Sequence, residues 1–195
     1  MTVEELLQLP TIKGLKLISG NLGVHREIST VTVVDTPDGF QWLKGNEVVI
    51  TTTYALEKTP NAFIDFISKL LSRNISALIV KSDRYIKVIP ENAKKLCDEK
   101  ALPLIYCPAI YAFADIINPT LSGIISKQAE QLKESSKIHE SFLELATNDR
   151  SIHQILQTLS TLIQEPTAYV DTVFHKVYFS ENVSEDSLYL KGLSY

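Results

Sequence analysis

The chain has 195 residues, 45% of them hydrophobic and 22% charged, with a formal net charge of −4 and two cysteines. That length suits one full domain plus something smaller, and the composition is ordinary for a globular protein. It argues against a disulfide-stapled scaffold and against a nucleic-acid surface, which needs clustered Lys and Arg.

The charge is uneven. Residues 1–120 carry 13 basic and 13 acidic side chains, whereas residues 121–195 carry 6 and 10. No stretch reaches the roughly 20 apolar residues of a membrane span, and Glu4 and Glu5 interrupt any apolar leader. A cytoplasmic location and no membrane partner are expected. Cys97 and Cys107 have no zinc spacing and are expected as reduced core thiols.

In chain order, residues 2–9 predict a short helix with Thr2 as N-cap and Glu5 three residues on, the two halves of a capping box. Leu15–Ile18 and Ile28–Val34 read as strands, the second dense in β-branched residues. The Asp35-Thr36-Pro37-Asp38-Gly39 turn leads to a helical turn at Phe40–Leu43, with Trp42 expected at the edge of the core. Glu47–Thr53 is a third strand. Thr59-Pro60 opens a helix reaching Asn74, with Phe63, Ile64, Ile67, Leu70 and Leu71 at helical spacing. Ala77–Val80 and Leu104–Cys107 are short buried strands, separated by a helix over Pro90–Lys100.

Strands alternating with helices predict an α/β fold whose sheet is mostly parallel with flanking helices. Residues 113–147 predict one long helix, or two joined where Asn118-Pro119 would restart it. Beyond a break at 148–150 come a helix at Ile152–Ile163 and a hairpin from Ala168–Asp171 and Val173–Phe179. Residues 181–195 give no clear element. One helix and one hairpin are too little for a self-sufficient core, so this part reads as a truncated α+β segment whose remainder is not in this chain.

No phosphate loop, dinucleotide fingerprint or metallohydrolase motif occurs, and His25, His139, His153 and His175 are scattered. No catalytic residue, metal site or cofactor is expected, and the chain is not expected to be an enzyme. Ligands of open α/β sheets lie beyond the carboxyl ends of the strands. Those ends supply Asp35, Thr51, Thr52, Thr53, Lys81 and Asp83 as the candidate ligand rim. The same residue types also favour strands and turns for structural reasons alone. Glu47 falls at the opposite end and reads as a locally paired carboxylate.

Leu121, Ile125, Leu132, His139 and Phe142 form a broken heptad-like stripe opposite Lys127, Glu130, Lys133, Glu134, Lys137 and Glu140. A narrow stripe on a charged helix suits self-pairing, so a homodimer through this helix is expected. The competing expectation is a helix lying back on its own domain.

Taken as an ordered set, several segments resemble the N-terminal regulatory domain of the purine-catabolism regulator (PucR) family. They are Thr2–Leu7, Ile18-Ser19-Gly20, Val31–Asp38, Trp42–Thr52, Ile89-Pro90, Leu102–Ile105 and Pro108–Phe113 with Ile116. Order and spacing agree over roughly residues 2–120. The resemblance implies a regulatory domain at 1–117, a helical linker at 118–147 and the start of a GAF-like domain at 148–195. It also implies a helix-turn-helix outside this chain, through which alone DNA would be touched. Relatives of this kind regulate catabolism of purines, amino acids and amines, which makes the rim a candidate seat for a small-molecule effector. The alternative is a protein-interaction module that binds no metabolite.

Overall fold

The computed structural model describes residues 1–54, 62–81, 88–147 and 151–180. The chain divides into two compact units, Met1–Gln128 and Ala129–Tyr195.

Unit 1 opens with α1 (Val3–Leu7), and its capping box forms as the sequence predicts. Thr2 Oγ1 accepts from the Glu5 N–H at 3.3 Å, and Glu5 Oε2 accepts from the Thr2 N–H at 2.8 Å. The strands are β1 (Lys16–Ser19), β2 (Thr30–Val33), β3 (Glu47–Thr51), β4 (Ala77–Lys81) and β5 (Leu104–Cys107). They form one sheet in the order β1-β5-β4-β3-β2. All neighbours are parallel except β1 against β5. Helix α2 (Ala62–Leu71) lies between β3 and β4 and helix α3 (Glu91–Glu99) between β4 and β5, so the mostly parallel α/β expectation holds. The expected Thr59-Pro60 start of α2 lies outside the described residues.

The side chains of β3 to β5 alternate between two cores. Val49, Leu78, Val80 and Leu104 pack with Phe63, Phe66, Ile67 and Leu70 of α2 and with Ala93 and Cys97 of α3. Val48, Ile50, Ala77, Ile79 and Ile105 face the other way, onto Val3 and Leu6 of α1 and onto Ile116 and Ile124 of the long helix α4 (Phe113–Thr147). A strand covered on both faces has no polar alternation to show, which is why β3 and β4 read as continuous apolar runs. Each fully buried Val, Leu or Ile contributes about 1.5–3 kcal/mol relative to exposure.

Three contacts fix the edges of the sheet. Gly20 has φ 75°, and a Cβ there would stand 1.9 Å from the Leu102 carbonyl, so only glycine lets the end of β1 approach the loop before β5. Arg26 donates from its two terminal nitrogens to the carbonyls of Ile75 (2.8 Å) and Lys100 (3.0 Å), closing the chain ends beyond α2 and α3. Glu47 is buried and accepts from the N–H groups of Lys44 (2.7 Å) and Gly45 (2.8 Å), the local pairing the sequence suggests.

Both cysteines are buried thiols outside any disulfide, and burial pushes the Cys97 thiol up to about 11. Trp42 departs from expectation. It lies on a 3-10 turn, Gly39–Trp42, and is 70% exposed, because the neighbouring Leu43 takes the core position instead.

Helix α4 is a single helix with Pro119 inside it, rather than two helices with a restart. Proline has no N–H, so the Asp115 carbonyl loses its usual partner one turn on. Thr120 Oγ1 donates back to the Ile116 carbonyl at 2.6 Å, keeping the next carbonyl occupied through the irregular turn.

In unit 2, α5 (Ile152–Ile163) starts at Ser151, whose N–H donates to Gln154 Oε1 at 3.2 Å. The antiparallel hairpin pairs β6 (Ala168–Asp171) with β7 (Lys176–Phe179). Asp171 Oδ1 accepts from the N–H groups of Val173 and Phe174, both at 2.9 Å, which shapes the turn. Thr167 Oγ1 donates to the Leu156 carbonyl at 2.8 Å, tying the hairpin to α5.

Candidate functional site

The parallel strands of unit 1 all end at one edge of the sheet. Because β1 runs the other way, its first residue, Lys16, stands beside Tyr106 near that same edge. The candidate rim is assembled there, and it has two halves.

The first half gathers Asp35, just past β2, with the threonines that finish β3. Asp35 Oδ1 accepts three hydrogen bonds: from Thr51 Oγ1 (3.1 Å), Thr52 Oγ1 (2.9 Å) and the Thr52 N–H (2.6 Å). Thr51 Oγ1 in turn accepts from the Thr53 N–H at 3.1 Å, and Thr53 Oγ1 donates to the Thr52 carbonyl. Thr51 and Thr53 are buried, while Asp35 and Thr52 are half-buried. Thr53 has φ 64°, a left-handed conformation in which a β-branched residue is strained. Such strain costs on the order of 1–3 kcal/mol and persists only where surrounding contacts impose it. Here the carboxylate and the threonine ladder impose it, turning the chain sharply off the end of β3.

The second half belongs to β4, β5 and the root of α4. Lys81 finishes β4. Its ammonium donates to the Tyr111 carbonyl and lies 4.7 Å from the centre of the Phe113 ring. That geometry is a cation–π contact. Among the described residues no ion pair joins Lys81 to Asp35. Thus Asp35, Thr51 and Thr52 come together, with Thr53 linked through Thr51 and Thr52, whereas Lys81 turns toward α4. Asp83 lies outside the described residues.

Beside Lys81 is a groove of about 510 Å³ that the rim residues did not anticipate, lined by Thr11, Tyr111, Ala114, Asp115, Asn118 and Pro119 among others. The sequence offered one sign of it: a proline inside an otherwise helical run, which frees a backbone carbonyl.

The stripe on α4 also divides. Leu121 is half-buried against the α1-side core, with Ile124 buried beside it. Further along, Ile125 is 64% and Leu132 70% exposed, and His139 and Phe142 are exposed as well. Among the described residues no helix is long and apolar enough to cross a membrane.

The first unit is thus a mostly parallel α/β domain with a polar strand-end rim, and a long helix follows its last strand. The sequence profile of the purine catabolism regulatory protein-like family, PucR, matches residues 5–124. The chain belongs to this family. It is 28% identical over 192 residues to the purine catabolism regulatory protein of Bacillus subtilis (strain 168). The alignment covers 98% of this chain and 36% of that relative, so the chain spans about a third of the relative's length. No solved structure matches it.

Proposed function

We propose that this chain is the effector-sensing and self-pairing regulatory region of a transcriptional regulator of nitrogen-compound catabolism, with purines, amino acids and amines as the effector classes. It acts in the cytoplasm without catalysis, and DNA is read by a helix-turn-helix outside this chain. The observation that carries the reading is the family match over residues 5–124, which coincides with nearly all of unit 1. The name of the B. subtilis relative supports the purine assignment.

In this reading a metabolite binds at the carboxyl edge of the sheet and favours one arrangement of the chain over another. The strained Thr53 beside the Asp35 network supports it, since such strain concentrates at ligand sites. Helix α4 carries the output. Its exposed apolar residues Ile125, Leu132 and Phe142 would be covered by the same helix of a second copy, with the charged face left in water. Residues 148–195 would begin a GAF-like domain.

The test is the melting temperature of the chain against hypoxanthine, urate, 4-aminobutyrate and putrescine. A bound compound at a hundredfold excess over its Kd raises the midpoint by on the order of 5 °C. No shift with any of the four defeats the sensing reading.

One observation favours a second reading, a protein-interaction module without a metabolite. The polar groups at the ends of β2 and β3 are largely spent on one another, as they would be if they only terminated strands.

A further inference from the structure

The groove at the root of α4 has the chemistry of a ligand seat, and it is separate from the Asp35–threonine network. Its polar groups come from three segments and are only partly committed. The Tyr111 hydroxyl accepts from the Gly14 N–H at 3.1 Å, which leaves its own proton to give. Asp115 Oδ2 accepts from the Ala112 N–H at 2.7 Å, while Oδ1 bonds to nothing among the described residues. The Asp115 carbonyl has lost its helical donor to Pro119. Asn118 and Thr11 are exposed, with both donor and acceptor atoms to offer. Ala114 and Pro119 supply an apolar floor. The volume lies within the roughly 300–1,000 Å³ range of small-molecule sites.

The charge of the groove selects among ligands. Among the described residues no Lys or Arg lines it. Lys81, the nearby cation among the described residues, is occupied by the Tyr111 carbonyl and the Phe113 ring. The start of α4 would attract an anion, but Asp115 already answers that positive helix end with its own carboxylate. We propose that this groove binds a small nitrogenous metabolite rich in N–H donors, uncharged or cationic, and free of phosphate and carboxylate. N–H groups of the ligand meet Asp115 Oδ1 and the Asp115 carbonyl, and an acceptor on the ligand meets Tyr111 or Asn118. Asp115 and Pro119 bracket the missing hydrogen bond of α4, so the occupant touches the helix where its ladder is interrupted. The earlier reading is needed only for what this binding would regulate; occupancy itself stands or falls separately.

The experiment is a titration of the ¹⁵N-labelled chain with hypoxanthine, with benzamidine as a cationic probe and with inosine 5′-monophosphate as the anionic counterpart. Saturable shifts are expected at the Tyr111, Asp115 and Asn118 amides with hypoxanthine and benzamidine, and binding weaker by about tenfold or more with the monophosphate. Asp115→Asn keeps an acceptor for the Ala112 N–H, so the helix start survives while benzamidine binding falls about tenfold. Asn118→Ala changes an exposed side chain and weakens hypoxanthine. The proposal is overturned if neither probe gives saturable shifts at these amides, if the anion binds as well, or if both variants bind unchanged. A compound that raises the melting temperature while these amides stay still would leave sensing intact and remove the groove. Binding here that leaves self-association unaltered would do the reverse.

Discussion

At the scale of single residues, Asp35 holds the end of β3. One carboxylate oxygen takes three hydrogen bonds from Thr51 and Thr52. Asp35→Ala leaves those donors to water or to nothing, and a half-buried loss of this kind costs about 1–3 kcal/mol. Asp35→Asn keeps a carbonyl oxygen in place and should lose less than half as much. Urea midpoints of the two variants check this, and an alanine variant within about 0.5 kcal/mol of wild type would deny the network its role. Glu5 gives a pH-dependent counterpart. Its carboxyl is held below the ordinary value of 4.5, first by the Lys127 ammonium at 2.6 Å and then by the Thr2 N–H. A depressed carboxylate stabilises the fold above its unfolded pKa, and that contribution is lost as pH falls through the folded one. The stability gap between wild type and Lys127→Met should therefore be widest above pH 4.5 and close below it; a gap constant with pH would contradict the pairing.

At the scale of elements, the strands were legible because β3, β4 and β5 are short, apolar and bounded by turn residues, the pattern of strands covered on both faces. The α1 cap was legible from Thr2 and Glu5 alone. Trp42 was not, since one aromatic beside Leu43 leaves open which of the two turns inward. Pro119 was read as a possible restart because local chemistry favours proline at the first helical position. Burial of Ile116, Thr120 and Ile124 along one face of α4 holds the helix together across it. The groove was largely illegible, because Thr11, Tyr111 and Asn118 meet only through the antiparallel placement of β1 beside β5. The α4 stripe yields a direct prediction. Leu132 is 70% exposed within one chain, so Leu132→Asp leaves the fold of the single chain intact. It should nonetheless shift the chain from dimer to monomer in sedimentation velocity. A variant that pairs as wild type does would remove the helix from the interface.

At the scale of the whole molecule, the proposed function divides the labour: unit 1 receives and α4 transmits. Thermodynamic linkage makes this division measurable: if a metabolite favours the paired or the unpaired state, pairing must change the metabolite's affinity by the same factor. Couplings of this type are typically about 5–150-fold. The deciding measurement is the dimer dissociation constant of the chain by sedimentation equilibrium, with and without a saturating metabolite that raises its melting temperature. The account predicts a dimer whose constant moves at least about fivefold on saturation. A chain that stays monomeric at every concentration, or a dimer indifferent to every compound it binds, would contradict it.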